Sequence, residues 1–579
     1  MKLWVALASI VAGATATDIA QEQRKAYDAE VPKTIVELQQ FRQSNSVRIR
    51  SQAGTEGVAT LINLNTAINT WYLLKVAWQR APEVAYHIEN SNPRSRRLVL
   101  DEKYPAGLSI VEGKNRYSCD LFGAESILDN AKASSRIYYP LCEGRVYLRN
   151  AATGHRTTLE AATDFLRDHV WGAEKIISVG HILMGDVHRE TGELEAGTGA
   201  KAGPTPSDLP LPALIESEYA DHLLTSNNLG IDLEGSQRNG MTPGTWYAAA
   251  GNPGVYISIL RPNLIHPTVL ASYRTRTNNL DNVEASALCY LIAFDLDRFD
   301  LGYALGTEHP KVAWSDHMLA KMRDPALPGP DGIGSIAPLI STGLIAPEDA
   351  PKTVSAFTAG FKREHAAFKY GDLALKNHGT HYGFIENGVV FSKLQPGLST
   401  IFVLNDNSVG MKTWGEDDNR LLARIKHARQ NGVPVVEWDE ASHAPAPGAL
   451  VKTWGPGNWS GSEDVKLRTM RSGAAIQKNG AKRFLIYAVF SAATPSAMAR
   501  VFQAYRVDYA MLLDMNALEH TYLALYRRSG SLMFVDHLMK GMSELDKSGS
   551  GEIVPRFLGY ADNRDFFYVM RRSGQDTQP

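Results

Sequence analysis

The chain has 579 residues, with 60 Lys and Arg against 62 Asp and Glu, 44% hydrophobic residues and 3 cysteines. At roughly 150 residues per domain the length suggests about three or four units, so cores can form without a disulfide framework or a structural metal. The net charge of -2, with no run of like charges, argues against a nucleic-acid binder and a polybasic membrane patch, and the ordinary composition excludes broad disorder.

Met1-Lys2 gives a short positive start, residues 3–13 are apolar, and Ala14-Thr15-Ala16 has the small-residue spacing that a signal peptidase reads. The expectation is a signal peptide over 1–16, with an uncleaved anchor as the alternative. No other long apolar stretch follows, so the sequence predicts a secreted or periplasmic protein with no integral membrane span after cleavage. Export makes a bridge between Cys119 and Cys142 chemically available. Cys289 lies in an apolar run and reads as a buried free thiol. No Cys/His spacing resembles a zinc site.

Residues 17–195 read as mainly β, with strand character at 61–65 and 97–100 and a helical stretch near 159–170. The Gly-, Pro-, Ala- and Ser-rich segment 196–212 reads as a linker and is the best domain boundary in the chain. A connecting β-rich region over 213–284 has strand character at 246–261.

Residues 483–490 form a continuous apolar run, expected to be a buried strand. Thr494-Pro495 offers an N-cap and a first helical proline, and Met498, Val501, Phe502 and Tyr505 then fall on one helix face. Residues 509–513 return as a second buried strand that ends in Asp514-Met515-Asn516. The pattern predicts a strand-helix-strand unit with a right-handed parallel crossover. Asp514 then stands where ligands bind in open α/β sheets. Its carboxylate is either a catalytic or ligand-orienting group or the cap of a helix expected over 517–526. The start of that helix would also offer N–H groups to an anion such as phosphate.

Four segments, in order, resemble the phosphodiester glycosidase domain family, that of the lysosomal uncovering enzyme. Ile292-Ala293-Phe294-Asp295-Leu296-Asp297 is similar to its opening strand, and Phe357-Thr358-Ala359-Gly360-Phe361-Lys362 to its glycine-rich segment. Arg471-Ser472-Gly473-Ala474 resembles its Arg-Ser element, and Leu513-Asp514-Met515-Asn516 its strand end. The phrases 513–520 and Arg564-Asp565-Phe566-Phe567-Tyr568 look similar to a subgroup of large exported bacterial proteins. The resemblance implies an α/β (α+β) domain over 285–535, with a mixed sheet and flanking helices, and a C-terminal extension over 536–579. Two departures stand out. Thr358-Ala359 replaces the family's Asn-Gly, and Met515-Asn516 replaces the Gly-Gly of its strand end.

The resemblance implies a hydrolase acting on a glycan or sugar-phosphate substrate. Cleaving a sugar from a phosphodiester passes through an oxocarbenium-like state with phosphate as a good leaving group, so strong acid help matters less. In that chemistry Arg471 would hold the phosphate with Ser472 beside it, Asp514 would act as base or cation stabiliser, Asn516 would hold sugar hydroxyls and His520 would supply acid-base chemistry. The alternatives are a structural ion pair for Arg471, with Asp514 as one partner, and an exposed or capping role for His520. Lys362, Glu364, His365, His378 and His381 form a second constellation, open to substrate contact, metal binding or a solvated loop. Trp414 and Trp454 would either face sugars or pack in the core.

Asp546 to Phe557 starts like a calcium loop but lacks its final Glu, and Gly329 to Gly332 reads as a tight turn. No nucleophile elbow of an esterase occurs, and no cofactor is expected. The rival reading is a non-catalytic glycan-binding or envelope-structural protein on the same fold.

Overall fold

The computed structural model describes residues 16–30, 34–123, 127–158, 160–161, 189–197, 208–234, 240–315, 318–362, 382–453, 467–530, 532–549 and 552–572. Almost all of the regular structure is β, and every paired strand in the sheets is antiparallel to its neighbour. The expected mixed α/β domain is therefore corrected to a mainly β one with few helices.

The N-terminal region bears out its β reading. A six-stranded sheet orders Gln43–Arg50, Glu56–Asn63, Trp71–Trp78, Val84–Asn90, Val146–Arg149 and Tyr138–Leu141. A three-stranded sheet orders Arg96–Val99, Gly107–Glu112 and Asn115–Asp120. Leu61, Leu74 and Ile88 of the first sheet share one core with Leu98, Leu108 and Ile110 of the second. Apolar residues alternating along these strands supply that shared face. Cys119 and Cys142 form a disulfide with a Cα–Cα distance of 5.2 Å, tying the last strand of the small sheet to the end of Tyr138–Leu141. Cys289 is free and buried.

Two large sheets form the main body of the C-terminal part. One orders Leu229–Gly230, Leu532–Met539, Leu523–Ser529, Thr353–Thr358, Phe566–Arg571 and Phe299–Ala304. The other is eight-stranded; its centre orders Cys289–Asp295, Lys482–Ala493, Thr469–Asn479, Tyr509–Met515 and Pro434–Asp439. Phe357 and Tyr487 meet across the two sheets with ring centroids 4.7 Å apart, inside one continuous apolar core. A five-stranded sheet that includes Phe384–Glu386, Ser399–Leu404 and Ile425–Gln430 completes the framework.

The strand-helix-strand unit is present, with Thr494 capping the helix Pro495–Ala504 through the Ala497 N–H. Its two strands are not neighbours. Thr469–Asn479 lies between Lys482–Ala493 and Tyr509–Met515, antiparallel to both, so the outer two run parallel one strand apart. Gly473 lets this strand pack closely beneath the helix. A Cβ there would stand 3.0 Å from Met498 Cε and 3.2 Å from Phe502 Cε2. The crossover pattern was legible, but the strand that fills the gap precedes it in sequence.

The helix expected over 517–526 does not form. A single 3-10 turn, Leu518–His520, leads into the strand Leu523–Ser529, which is paired on both sides. Two waiting strand partners override the local helical preference of this segment, which is rich in Ala and Leu.

Candidate functional site

The strand Tyr509–Met515 delivers Asp514 to the place where the two large sheets meet. Asn431 fixes that strand end: its amide donates to the Leu512 and Leu513 carbonyls at 2.8 and 3.0 Å, while its Oδ1 accepts the Phe361 N–H at 3.1 Å. Leu513 and Phe361 are thereby locked together, which brings the Asp514 side and the Lys362 side into one place. Gly360 allows the approach, since a Cβ there would fall 2.6 Å from Asn431 Oδ1.

Arg564 is the centre of the site. It lies two residues before the strand Phe566–Arg571, and its own N–H is held by Asp562 Oδ1 at 2.9 Å. Its Nη1 donates to Asp514 Oδ2 at 2.6 Å. Its Nη2 lies 2.9 Å from Glu160 Oε1 and 2.7 Å from His520 Nε2. Arginine can only donate, so His520 Nε2 accepts. His520 Nδ1, 2.6 Å from the Met515 carbonyl, then carries the proton. Glu160 Oε1 also accepts Asn563 Nδ2 at 3.0 Å and meets Lys362 Nζ at 3.0 Å. The Nε–H of Arg564 is buried and has no hydrogen-bond partner among the described residues.

The two carboxyl groups on this guanidinium are driven in opposite directions. Burial pushes Asp514 up to about 6, against the lowering influence of Arg564. Burial works to raise Glu160 too, but Arg564 and Lys362 together hold it well below the usual carboxylate range. Behind them, Asp565 takes Arg429 Nε at 2.6 Å and the Tyr303 hydroxyl at 2.8 Å. His309 Nδ1 is 3.1 Å from Asp565 Oδ1 but not aligned for a hydrogen bond, and burial pushes its pKa down to about 3. This inner layer is buried and supports the Arg564–Asp565 segment from behind.

Of the residues anticipated from sequence, Asp514, His520 and Lys362 converge here through Arg564 and Glu160. Asp514 caps no helix: its Oδ1 accepts the N–H of Met515 at 2.8 Å. Ser472 is adjacent but committed, donating to the Asp514 carbonyl at 2.9 Å. Arg471 stands apart. It is fully buried, with Nε on the Ala493 carbonyl at 2.7 Å and Nη2 on the Leu467 carbonyl at 3.1 Å. No Arg471–Asp514 ion pair forms among the described residues; Asp514 takes Arg564 instead. Asn516 adopts a positive φ of 84° and accepts from the Thr469 hydroxyl at 3.1 Å. Left-handed backbone is open to Asn more readily than to most residues other than Gly.

Glu364, His365, His378, His381, Trp454 and most of the helical stretch near 159–170 lie outside the described residues. Trp414 is 1% exposed and offers no face to a sugar. The Gly329–Gly332 turn is present, with the Gly332 N–H on the Gly329 carbonyl at 3.0 Å. Asp546 is occupied by Tyr522, His537 and the Arg556 N–H. Among the described residues, no group of three or more His, Cys, Asp or Glu side chains is arranged to hold a metal ion. No described helix is long and apolar enough to cross a membrane.

Glu160 carried no sequence signal of its own. Arg564 did: Asp562-Asn563-Arg564-Asp565 is a run of polar and charged residues directly before a buried strand.

The fold and the site define a mainly β protein with a buried carboxylate–arginine–histidine cluster where two sheets meet. No protein-family model and no curated protein matches the chain. Among solved structures, it is similar to the catalytic domain of zebrafish N-acetylglucosamine-1-phosphodiester alpha-N-acetylglucosaminidase, auto-inhibited by its pro-peptide. That match has 10% identity and a TM-score of 0.29, and it covers 56% of this chain and 85% of the other. It is also similar to a Burkholderia pseudomallei protein designated as exported, at 10% identity and a TM-score of 0.19, covering 49% and 74% of the two chains.

Proposed function

We propose that the protein is an exported, glycan-directed hydrolase that cleaves a sugar phosphodiester or a related glycosidic bond at the Asp514–Arg564 cluster. The observation that carries this reading is the opposed tuning of Asp514 and Glu160 around one guanidinium. Pairs of acidic groups pushed apart in this way mark acid-base sites. Asp514, near 6, can ionise within the working range and stabilise positive charge at an anomeric carbon or take a proton from water. Glu160 stays an anion and holds Arg564 and Lys362 in place. The Nε–H of Arg564, without a partner among the described residues, suits a phosphate oxygen, a role the sequence had given to Arg471. His520, with its proton fixed on Nδ1, orients the same guanidinium. The Cys119–Cys142 bridge supports an oxidising, extracytoplasmic location.

The direct test is release of free sugar from a sugar 1-phosphodiester by the purified protein, followed by mass spectrometry. Turnover by the native chain and its loss in Asp514→Ala, with folding retained, is the expected result. Full activity in Asp514→Ala removes the assignment.

One observation favours the second reading, a non-catalytic glycan-binding protein. Both Asp514 oxygens already hold hydrogen bonds, and Thr358, in place of the family's Asn, spends its hydroxyl on the His520 carbonyl at 2.8 Å. Tight binding on a glycan array with no product formed would select that reading.

A further inference from the structure

A cleft of about 710 Å³ lies between the N-terminal sandwich and the edge of the C-terminal sheets, apart from the Asp514 cluster. Its volume is in the range of ligand sites. Its lining is charged and amide-rich, and beside the rings of Tyr138 and Tyr568 its apolar members are Pro93, Ala304, Leu344, Ala346 and Met570.

The acidic groups of the cleft each hold a polar partner: Glu143 pairs with Arg145, and Glu348 takes the Tyr147 hydroxyl at 3.3 Å. Glu89 is paired with Arg149 and takes the Trp71 Nε1–H at 3.0 Å. Asp300 takes Asn407 and Arg572 at 2.7 and 2.9 Å, and Asp349 takes the Tyr568 hydroxyl at 2.9 Å. Glu386 accepts the Leu305 N–H at 3.0 Å, and burial pushes its carboxyl up to about 8, which leaves it neutral at pH 7.

The cations are not all engaged. Lys426, Arg94 and Arg571 line the same cleft and make no side-chain ion pair or hydrogen bond among the described residues. Two deeply buried donors, Thr70 Oγ1 and Arg149 Nε, also lack partners there; their residues are 7% and 3% exposed. Spare positive charge and spare donors against satisfied carboxylates describe a site built for an anion with hydroxyl groups.

We propose that this cleft is a separate binding site for an acidic oligosaccharide, with Lys426 and Arg571 meeting its carboxylates and Thr70 and Arg149 its hydroxyls. The site does not depend on the chemistry assigned to Asp514.

Isothermal titration of the full chain with trigalacturonate, with neutral maltotriose and with inorganic phosphate tests it. Trigalacturonate binds, maltotriose does not, and Lys426→Gln weakens binding about tenfold, the scale of one charge-assisted contact. Arg571→Gln has the same direction of effect, and rising salt weakens binding in the native chain. Lys426→Gln leaves turnover of a sugar 1-phosphodiester unchanged, which separates this cleft from the Asp514 cluster. Equal binding of maltotriose, indifference to both substitutions, or no binding of trigalacturonate at millimolar concentration overturns the proposal. Binding of phosphate alone with the same Lys426 dependence overturns it too, since it reduces the cleft to a simple anion site.

Discussion

Arg564 donates to Asp514 across the junction of two sheets, with Nη1 and Oδ2 2.6 Å apart. Asp514 ends a strand of the eight-stranded sheet, and Arg564 leads into a strand of the six-stranded one. One ion pair therefore ties the two layers at the point where the chemistry is proposed. Both side chains are at least nine-tenths buried, so neither charge is relieved by water if the other is removed.

Arg564→Gln leaves Asp514 and Glu160 without their shared cation. Removing one member of a buried pair costs about 3–5 kcal/mol. Thermal or denaturant unfolding should show a loss of that order, and a loss below about 1 kcal/mol would contradict the central role given to this guanidinium.

The two carboxyls give opposite pH signatures. Asp514 has a folded pKa raised from 3.8 to about 6, so the folded state holds the extra proton and stability falls as pH rises between those values. The full effect is at most about 3 kcal/mol at one pKa unit per 1.36 kcal/mol. Glu160 is depressed, so its contribution is present above 4.5 and lost as pH falls below it. Unfolding free energies of the native chain and Asp514→Asn, compared from pH 4 to 7, isolate the first effect. The native chain should lose stability relative to the variant as pH rises toward 6.

Asn431→Ala removes three buried hydrogen bonds that lock Leu512 and Leu513 to Phe361. At about 1 kcal/mol each, with unsatisfied carbonyls left behind, a destabilisation of roughly 2–4 kcal/mol is expected. Turnover should fall further than stability explains, because Asp514 and Lys362 lose their common anchor. Assays well below the melting temperature separate the two effects.

Reducing the Cys119–Cys142 bridge, or replacing both with Ser, opens a loop whose ends are 23 residues apart. The chain-entropy model gives about 3 kcal/mol for a loop of this scale. Melting with and without reductant should show a lower transition for the reduced protein. An unchanged melt would mean that the shared core of the two N-terminal sheets suffices alone.

Much of the local structure was legible. Capping chemistry and apolar periodicity located the helix Pro495–Ala504 and both flanking strands, because these signals are local. The same rules misread residues 517–526, whose conformation is set by two partner strands distant in sequence. Asp514 stood out as a carboxyl at the end of a buried strand with His520 close behind it, whereas Lys362 belonged to a separate constellation that the fold joins to Asp514 through Glu160 and Arg564. Arg471 looked equally apt but donates to the Ala493 and Leu467 carbonyls and to Met515 Sδ, a fate decided by burial that no motif shows. Glu160 joins the site from more than 350 residues before Asp514, so only the folded chain reveals it.

The most direct test of the central claim is the pH profile of sugar 1-phosphodiester cleavage, measured as kcat/KM for the native protein and Asp514→Asn. With Asp514 acting in its ionised form, native activity climbs with pH through about 6 and then levels, and the Asn variant loses both the activity and the climb. A native profile flat across that range, or an Asn variant as active as the native chain, would contradict the assignment.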